Sequence, residues 1–69
     1  MDAEQLPYLD TFAKAAELSS FTAAARSLGL TQAAISQRIQ ALEHVVKGPL
    51  FQRQGGHVLL TEAGQRLYD

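Results

Sequence analysis

Several short polar side chains stand at helical spacing near the middle of the chain. Gln32 and Ser36 lie four residues apart, and Gln37 follows Ser36 directly, so a helix would carry all three on one broad face. An ordinary solvated helix face carries Glu and Lys pairs instead. Gln and Ser offer hydrogen-bond donors and acceptors, and a Gln amide matches the N6 and N7 atoms of adenine in the major groove. These residues therefore indicate hydrogen bonding to the base edges of double-stranded DNA.

Two short amphipathic helices joined by a tight turn are predicted over residues 21–40, and they would position these polar side chains. Ser20 and Thr31 are suited to cap the two helices, while Gly29 falls where the chain must adopt a left-handed conformation. The inward-facing residues would be Ala24, Ala25 and Leu28 in the first helix and Ile35, Ile39, Leu42 and Val46 in the second. This pattern is typical of a helix-turn-helix DNA reader, although a plain helical hairpin that binds no DNA shares it.

A supporting helix is predicted upstream of this pair. Apolar residues recur at three- and four-residue steps as Leu6, Leu9, Phe12, Ala13 and Ala16. Pro7 is tolerated only in a first turn, which places the start of this helix at Ala3 or Glu4 and its end at Leu18. We expect Leu9 and Phe12 to pack under the two later helices, so this helix is scaffold.

A two-stranded wing is predicted downstream. Gly48 is suited to end the second helix of the pair in a left-handed conformation, and Pro49 cannot continue a helix. Residues 50–53 and 58–60 then form strands on either side of a turn at residues 54–57. Because a hairpin of this size is unstable alone, Leu50 or Phe51 and Val58 or Leu60 must face the helices.

A last helix follows the wing. Thr61 is suited to cap it, Glu62 is favourable in its first turn, and Ala63, Leu67 and Tyr68 would form its apolar side. The whole pattern predicts a mainly α fold, a three-helix winged helix-turn-helix with a two-stranded β wing.

The wing has a structural and a functional interpretation. As structure, it closes the core and its tip is a solvated turn. As function, Arg53 and the amides near Gly55 and Gly56 hold phosphates that flank the groove occupied by the recognition helix, residues 31–47. We favour the functional role for Arg53, only weakly for His57, and the turn explanation for the two glycines.

Length and composition exclude several classes of protein. The 69 residues allow one domain, and a hydrophobic content of 46% favours folding. The chain has no cysteine, and His44 and His57 do not form a metal-ligand motif, so we expect neither a disulfide nor a metal or cofactor site. No nucleophile–base pair or phosphate loop is visible, which argues against an enzyme. Without a membrane-length apolar run or a signal peptide, the sequence predicts a cytoplasmic protein with no membrane partner.

The charge of the chain is unusual for a DNA binder but is unevenly distributed. The net charge is -1, whereas residues 20–60 carry Arg26, Arg38, Lys47 and Arg53 against Glu43 alone. Phosphate neutralisation supplies much of DNA affinity. We therefore expect weak, salt-dependent binding from one copy and useful affinity from a dimer. The near-neutral charge also leaves open a winged-helix module that binds protein.

The residues resemble the N-terminal DNA-binding domain of LysR-type transcriptional regulators. The matching stretches are SSFTAAARSLGLTQAAISQRIQALE, from Ser19 to Glu43, and GPLFQRQGGHVLLTEAGQRL, from Gly48 to Leu67. Within the family, TQAAISQRIQALE is most similar to the branch of the arginine and lysine exporter regulators. The resemblance covers nearly the whole chain.

The resemblance implies specific roles at the DNA. Thr31 would cap the recognition helix and contact a phosphate, Arg53 would contact the backbone, and Gln32, Ala33, Ser36 and Gln37 would face base edges. The family commonly has proline at the position of Ala33 and often arginine at that of Gln37, so a half-site less directed to guanine is expected. Arg38 is also expected to contact DNA and to compensate for that arginine, although it points roughly 100° further around the helix.

The resemblance also implies how the domain is assembled. Residues 3–61 would be the winged helix-turn-helix domain, with the helix-turn-helix at 21–40 and the wing at 50–60, and residues 62–69 would start a linker helix. In the full-length protein that linker would form a homodimer or higher oligomer. A small-molecule effector would bind only a C-terminal domain that this chain lacks, so we expect an excised fragment or a natural truncation.

Overall fold

The computed structural model describes residues 6–69, which form four helices and a two-stranded antiparallel sheet. The elements in chain order are α1 (Leu9–Leu18), α2 (Phe21–Leu28), α3 (Gln32–Val46), β1 (Phe51–Gln54), β2 (His57–Leu60) and α4 (Glu62–Tyr68). The predicted winged helix-turn-helix is confirmed, with α2 and α3 as the helix pair and the β1–β2 hairpin as the wing.

Three hydroxyl side chains cap the helices as the sequence predicts. Ser20, Thr31 and Thr61 each accept a 3.0 Å hydrogen bond from the backbone amide three residues later. Each bond satisfies an amide of the first helical turn that has no partner within the helix. Gly29 ends α2 in the left-handed conformation, at φ 70°, so the turn between the helices is also as predicted.

The first helix starts later than expected. It begins at Leu9, because Tyr8 adopts the left-handed conformation at φ 59°, and a residue in that conformation cannot lie inside a right-handed helix. Leu6 precedes Pro7, and a residue before proline is disfavoured in helical geometry. The predicted start at Ala3 or Glu4 falls outside the described residues, but the prediction is wrong for residues 6–8.

The end of α3 differs by one residue from the expectation. The left-handed residue is Lys47, at φ 64°, and not Gly48. The Lys47 and Gly48 amides both donate to the Glu43 carbonyl, which completes the last turn despite the absence of glycine at the left-handed position.

The strands are also displaced from their predicted limits. Gln54 pairs with His57, so both belong to the ladder and the turn consists of Gly55 and Gly56 alone. Only the first of these glycines has a positive φ, 61°.

The core lies where the three helices and the wing meet. Its largest fully buried hydrophobic side chains are Phe12, Ile35, Leu42 and Leu50. Small residues occupy the helix crossings, where Ala15, Ala24 and Ala25 are buried and let the backbones approach closely. The predicted apolar stripe of α3 is confirmed for Ile35, Ile39 and Leu42, while Val46 is only half-buried at its end.

The wing is held against the helices at its base. The ring of Phe51 contacts the rings of Phe12 and Phe21, with centroid distances of 5.4 and 5.2 Å. The Val58 amide donates a 3.1 Å hydrogen bond to the carbonyl of Ser19, in the α1–α2 turn. The wing therefore has a fixed position relative to the helix-turn-helix.

Helix α4 packs through a residue that the sequence pattern does not indicate. Gly64 is buried, and a methyl group there would overlap the Leu50 carbonyl oxygen and lie 2.9 Å from Leu60 Cδ2. Ala63, predicted on the apolar side, is exposed instead. Only glycine permits this close approach of the Leu50 backbone. The face of α4 that carries Gly64 therefore packs inward, and not the face that carries Ala63.

Candidate nucleic-acid interface

Helix α3 presents an uncharged polar face away from the core. Gln32, Ala33 and Gln37 are exposed and Ser36 is half-buried, and these four residues are called the polar face below. They project from α3 because Ile35, Ile39 and Leu42 occupy its buried side. Gln40 continues the exposed surface one turn further along the helix.

Thr31 lies at the exposed N-terminus of the same helix. Its Oγ1 atom accepts the capping hydrogen bond from the Ala34 amide. A hydroxyl also carries one donor, and the positive end of the helix dipole favours an anion at this position. The side chain is therefore able to cap α3 and donate to an anionic oxygen at once.

Arg53 is exposed on β1, and the fold places it next to α3. Its guanidinium carbon lies 5.2 Å from the ring centroid of Phe21, which supports the cation by a cation–π interaction. An open depression of about 170 Å³ is lined by Phe21, Ser36, Ile39, Gln40, Glu43, Phe51 and Arg53. The structure thus brings Arg53 together with one end of the polar face.

Arg38 is the one predicted site residue that the structure turns elsewhere. Its Nη1 atom donates a 3.2 Å hydrogen bond to Thr11 Oγ1, and its guanidinium carbon lies 4.8 Å from the Tyr8 ring centroid. Both contacts are with α1 and the turn before it. The guanidinium is therefore not placed where it would replace an arginine at position 37.

Two residues of this region carry roles that the sequence reasoning did not assign. Phe21 supports the Arg53 guanidinium, and Glu43 accepts a 2.7 Å hydrogen bond from the Leu50 amide through Oε2. Nothing in the local sequence indicates the contact of Phe21 with the wing.

The described part of the chain offers little for other chemistries. Within residues 6–69, no group of three or more His, Cys, Asp or Glu side chains is placed to hold a metal ion. His44 and His57 are both exposed, one on α3 and one on β2. Among the described helices, none is both long and apolar enough to cross a membrane.

Known proteins share this sequence pattern. A family model described as "Bacterial regulatory helix-turn-helix protein, lysR family" matches residues 6–65. The HTH-type transcriptional regulator DgdR of Burkholderia cepacia is 43% identical over 63 residues, which are 91% of this chain and 21% of DgdR. The regulator BudR of Klebsiella aerogenes is 45% identical over 65 residues, 94% of this chain and 46% of BudR. The chain thus spans about a fifth of DgdR and under half of BudR.

Solved structures share the fold. VV2_1132, a LysR family transcriptional regulator, superposes with a TM-score of 0.81 at 45% identity, over 87% of this chain and 21% of that one. The complex of the CbnR DNA-binding domain with DNA superposes with a TM-score of 0.80 at 32% sequence identity, over 99% of this chain and 75% of that one. ArgP from Mycobacterium tuberculosis superposes with a TM-score of 0.78 at 40% sequence identity, over 97% of this chain and 24% of ArgP.

DgdR, BudR and VV2_1132 are transcriptional regulators, in agreement with the prediction that the chain is not an enzyme. Because several of them match to a similar degree, the branch within the family stays a prediction. The family match extends over most of the chain and over every element of the winged helix-turn-helix. This chain therefore belongs to the LysR family of bacterial regulatory helix-turn-helix proteins.

Proposed function

We propose that this domain binds double-stranded DNA sequence-specifically in transcription regulation, with α3 in the major groove and the wing on the sugar–phosphate backbone. The observation that carries the proposal is the uncharged polar face of α3 beside the exposed Arg53. An α-helix of about 10–12 Å diameter fits the major groove, which is about 12 Å wide. The similarity to the CbnR DNA-binding domain, whose structure is that of a complex with DNA, supports DNA binding by this domain.

The residues divide into two groups by the chemistry they offer. Gln32, Ser36 and Gln37 donate to and accept from base edges, and Ala33 offers a methyl group for contact with thymine. Thr31 and Arg53 contact phosphates and fix the register of the helix on the duplex. Direct readout therefore belongs to α3, and positioning belongs to the cap and the wing.

We also propose the assembly of the full-length protein that the resemblance to the LysR family implies. Residues 3–61 are the DNA-binding domain, and α4 begins a linker helix through which two or more copies associate. A small-molecule effector binds a further domain beyond this chain. Because bacterial chromosomes lie in the cytoplasm, the proposed activity implies that location.

Titration with duplex DNA at several salt concentrations tests the proposal. Duplexes selected from a random pool first supply the preferred half-site. The affinity is expected to fall as salt rises, with a logarithmic slope of about -0.9 per neutralised phosphate. An affinity that does not change with salt would contradict phosphate contact and the proposed function with it.

Two substitutions test the division of roles. Gln32→Ala is expected to cost about 1–3 kcal/mol of binding free energy and to relax the preference at one base pair. Arg53→Ala is expected to weaken binding to all sequences alike and to reduce the salt slope by about 1. Gln65→Ala, at an exposed position of α4 outside the proposed DNA surface, is the matched control. Equal behaviour of the Gln32 and Arg53 variants towards cognate and scrambled duplexes would refute the division.

The net charge of -1 favours a second candidate, a winged-helix module that binds a protein partner. The two functions differ in what perturbs the polar face. If a partner chain, and not duplex DNA, shifts the NMR signals of Gln32 and Ser36, the protein-binding function is correct.

A further inference from the structure

Arg38 makes two contacts on the side of α3 that faces α1. Its Nη1 atom donates to Thr11 Oγ1 at 3.2 Å, and its guanidinium carbon stands 4.8 Å from the centre of the Tyr8 ring. The Thr11 side chain is fully buried, whereas Tyr8 is 42% exposed. The arginine therefore spans from the interior to the edge of the α1–α3 contact.

The hydrogen bond from Arg38 is important because the hydroxyl group of Thr11 is buried. Thr11 is the only buried polar residue among residues 6–69, and a buried hydroxyl is costly unless it has a partner. Arg38 supplies that partner while its charge stays half-exposed over an aromatic face. Both contacts hold the guanidinium in one place and away from the polar face.

Arg38 lies on α3 next to the residues that we propose read DNA. It directly follows Ser36 and Gln37, so an axial shift or rotation of α3 at Arg38 moves both side chains. Base readout requires placement to within about half an ångström. The contact with α1 therefore sets where the polar face stands.

We propose that Arg38 is a positioning residue that clamps α3 to the N-terminal end of α1, and that it contacts neither base nor phosphate. This assignment rests on the proposed DNA-binding function. It also removes Arg38 from the charges available to phosphates, which leaves Arg26, Lys47 and Arg53, all exposed, between residues 20 and 60.

A double-mutant cycle on DNA binding tests the clamp. Arg38→Gln, Tyr8→Leu and the double variant are titrated with the selected duplex at four salt concentrations, at a temperature where circular dichroism shows each to be folded. Each single change is expected to weaken binding by roughly three- to tenfold, the range that one such contact supports. The double variant should bind no more weakly than the weaker single variant, because the contact that Tyr8→Leu removes is already lost in Arg38→Gln. The salt slope should stay that of the wild type.

Conservative variants and NMR separate positioning from general instability. Tyr8→Phe retains the ring and should bind DNA like the wild type. In Arg38→Gln and Tyr8→Leu, the amide signals of Ser36 and Gln37 should shift, while those of the wing tip at Gly55 and Gly56 should not.

Several results would overturn the assignment. A salt slope that falls by about 0.9 in Arg38→Gln would identify a phosphate contact. Additive losses in the double variant would show that the two residues act separately. If Arg38→Gln does not fold, Tyr8→Leu decides alone, since wild-type DNA affinity in that variant would exclude the clamp. A wild type that binds no duplex would contradict the proposed function itself, which none of these variant results would do.

Discussion

The carboxylate of Glu43 joins the recognition helix to the start of the wing. Oε2 accepts a 2.7 Å hydrogen bond from the Leu50 amide, seven residues further along the chain. The carbonyl of the same residue accepts from the Lys47 and Gly48 amides that end α3. One residue thus fixes both the end of a helix and the entry of a strand.

Replacing Glu43 should therefore destabilise the fold measurably. Glu43→Ala leaves the Leu50 amide without its acceptor, which costs about 1–3 kcal/mol in the free energy of unfolding. Glu43→Gln keeps an acceptor oxygen and should cost less. Urea denaturation followed by circular dichroism measures both, and His44→Ala, on the exposed side of the same turn, is the control. A loss in Glu43→Ala no larger than in His44→Ala would contradict the role of the carboxylate.

Helix caps were the elements best predicted from sequence. The hydroxyls of Ser20, Thr31 and Thr61 bond within their own first turns, so the local sequence contains the whole interaction. The same holds for Gly29, where the left-handed conformation follows from the residue type. The order of helices and wing was predictable for this reason, and the polar face followed from helical spacing.

Features that depend on packing between distant elements were not predictable in this way. The burial of Gly64 follows from the approach of the Leu50 backbone, which no local pattern contains. The left-handed conformations of Tyr8 and Lys47 occur at residue types that disfavour it, so residue type alone does not predict them. The inward direction of Arg38 likewise depends on α1 packing against α3.

The N-terminus of α3 allows folding and binding to be tested separately. Thr31→Asp keeps an effective cap and places a negative charge at the positive end of the helix, so the free energy of unfolding should not fall by more than about 0.5 kcal/mol. DNA affinity should fall roughly tenfold or more, because the carboxylate would repel the phosphate that we propose Thr31 contacts. Thermal unfolding measures the change in stability, and titration with duplex DNA measures the change in affinity.

Thr31→Ser is the matched control for this test, because it retains the hydroxyl and should preserve both properties. Wild-type affinity in Thr31→Asp would place Thr31 away from the DNA backbone.

At the scale of the whole molecule, the small positive charge near the proposed DNA surface limits the affinity of one copy for DNA. The described fold measures 31 × 23 × 18 Å, whereas charges are screened over about 8 Å at physiological salt. Acidic residues more than this distance from the duplex would therefore repel it little. The basic residues that would lie near the duplex are few, so their total attraction to it is small. We therefore expect useful affinity to need more than one domain on the same DNA.

Pairing two copies should accordingly raise the affinity without any new contact to DNA. A parallel two-stranded coiled coil fused after Asp69 is expected to tighten binding to a duplex with two half-sites by roughly 10²–10⁴-fold. Binding to a duplex with one half-site should change little. The same fusion with charged residues in the coiled-coil core is a monomeric control. An equal gain on both duplexes would contradict binding in pairs.

The anchoring of the wing has a consequence for how the domain meets a deformable duplex. At its root, the Val58 amide bonds to Ser19 and the Thr61 amide to Leu50, so hydrogen exchange there requires openings that also disturb the helices. At its tip, Gly55 and Gly56 are exposed, so their amides should exchange through small local fluctuations. On the DNA complex that we propose, the fixed base of the hairpin would hold the recognition helix in register while the tip adjusts to variations in groove width.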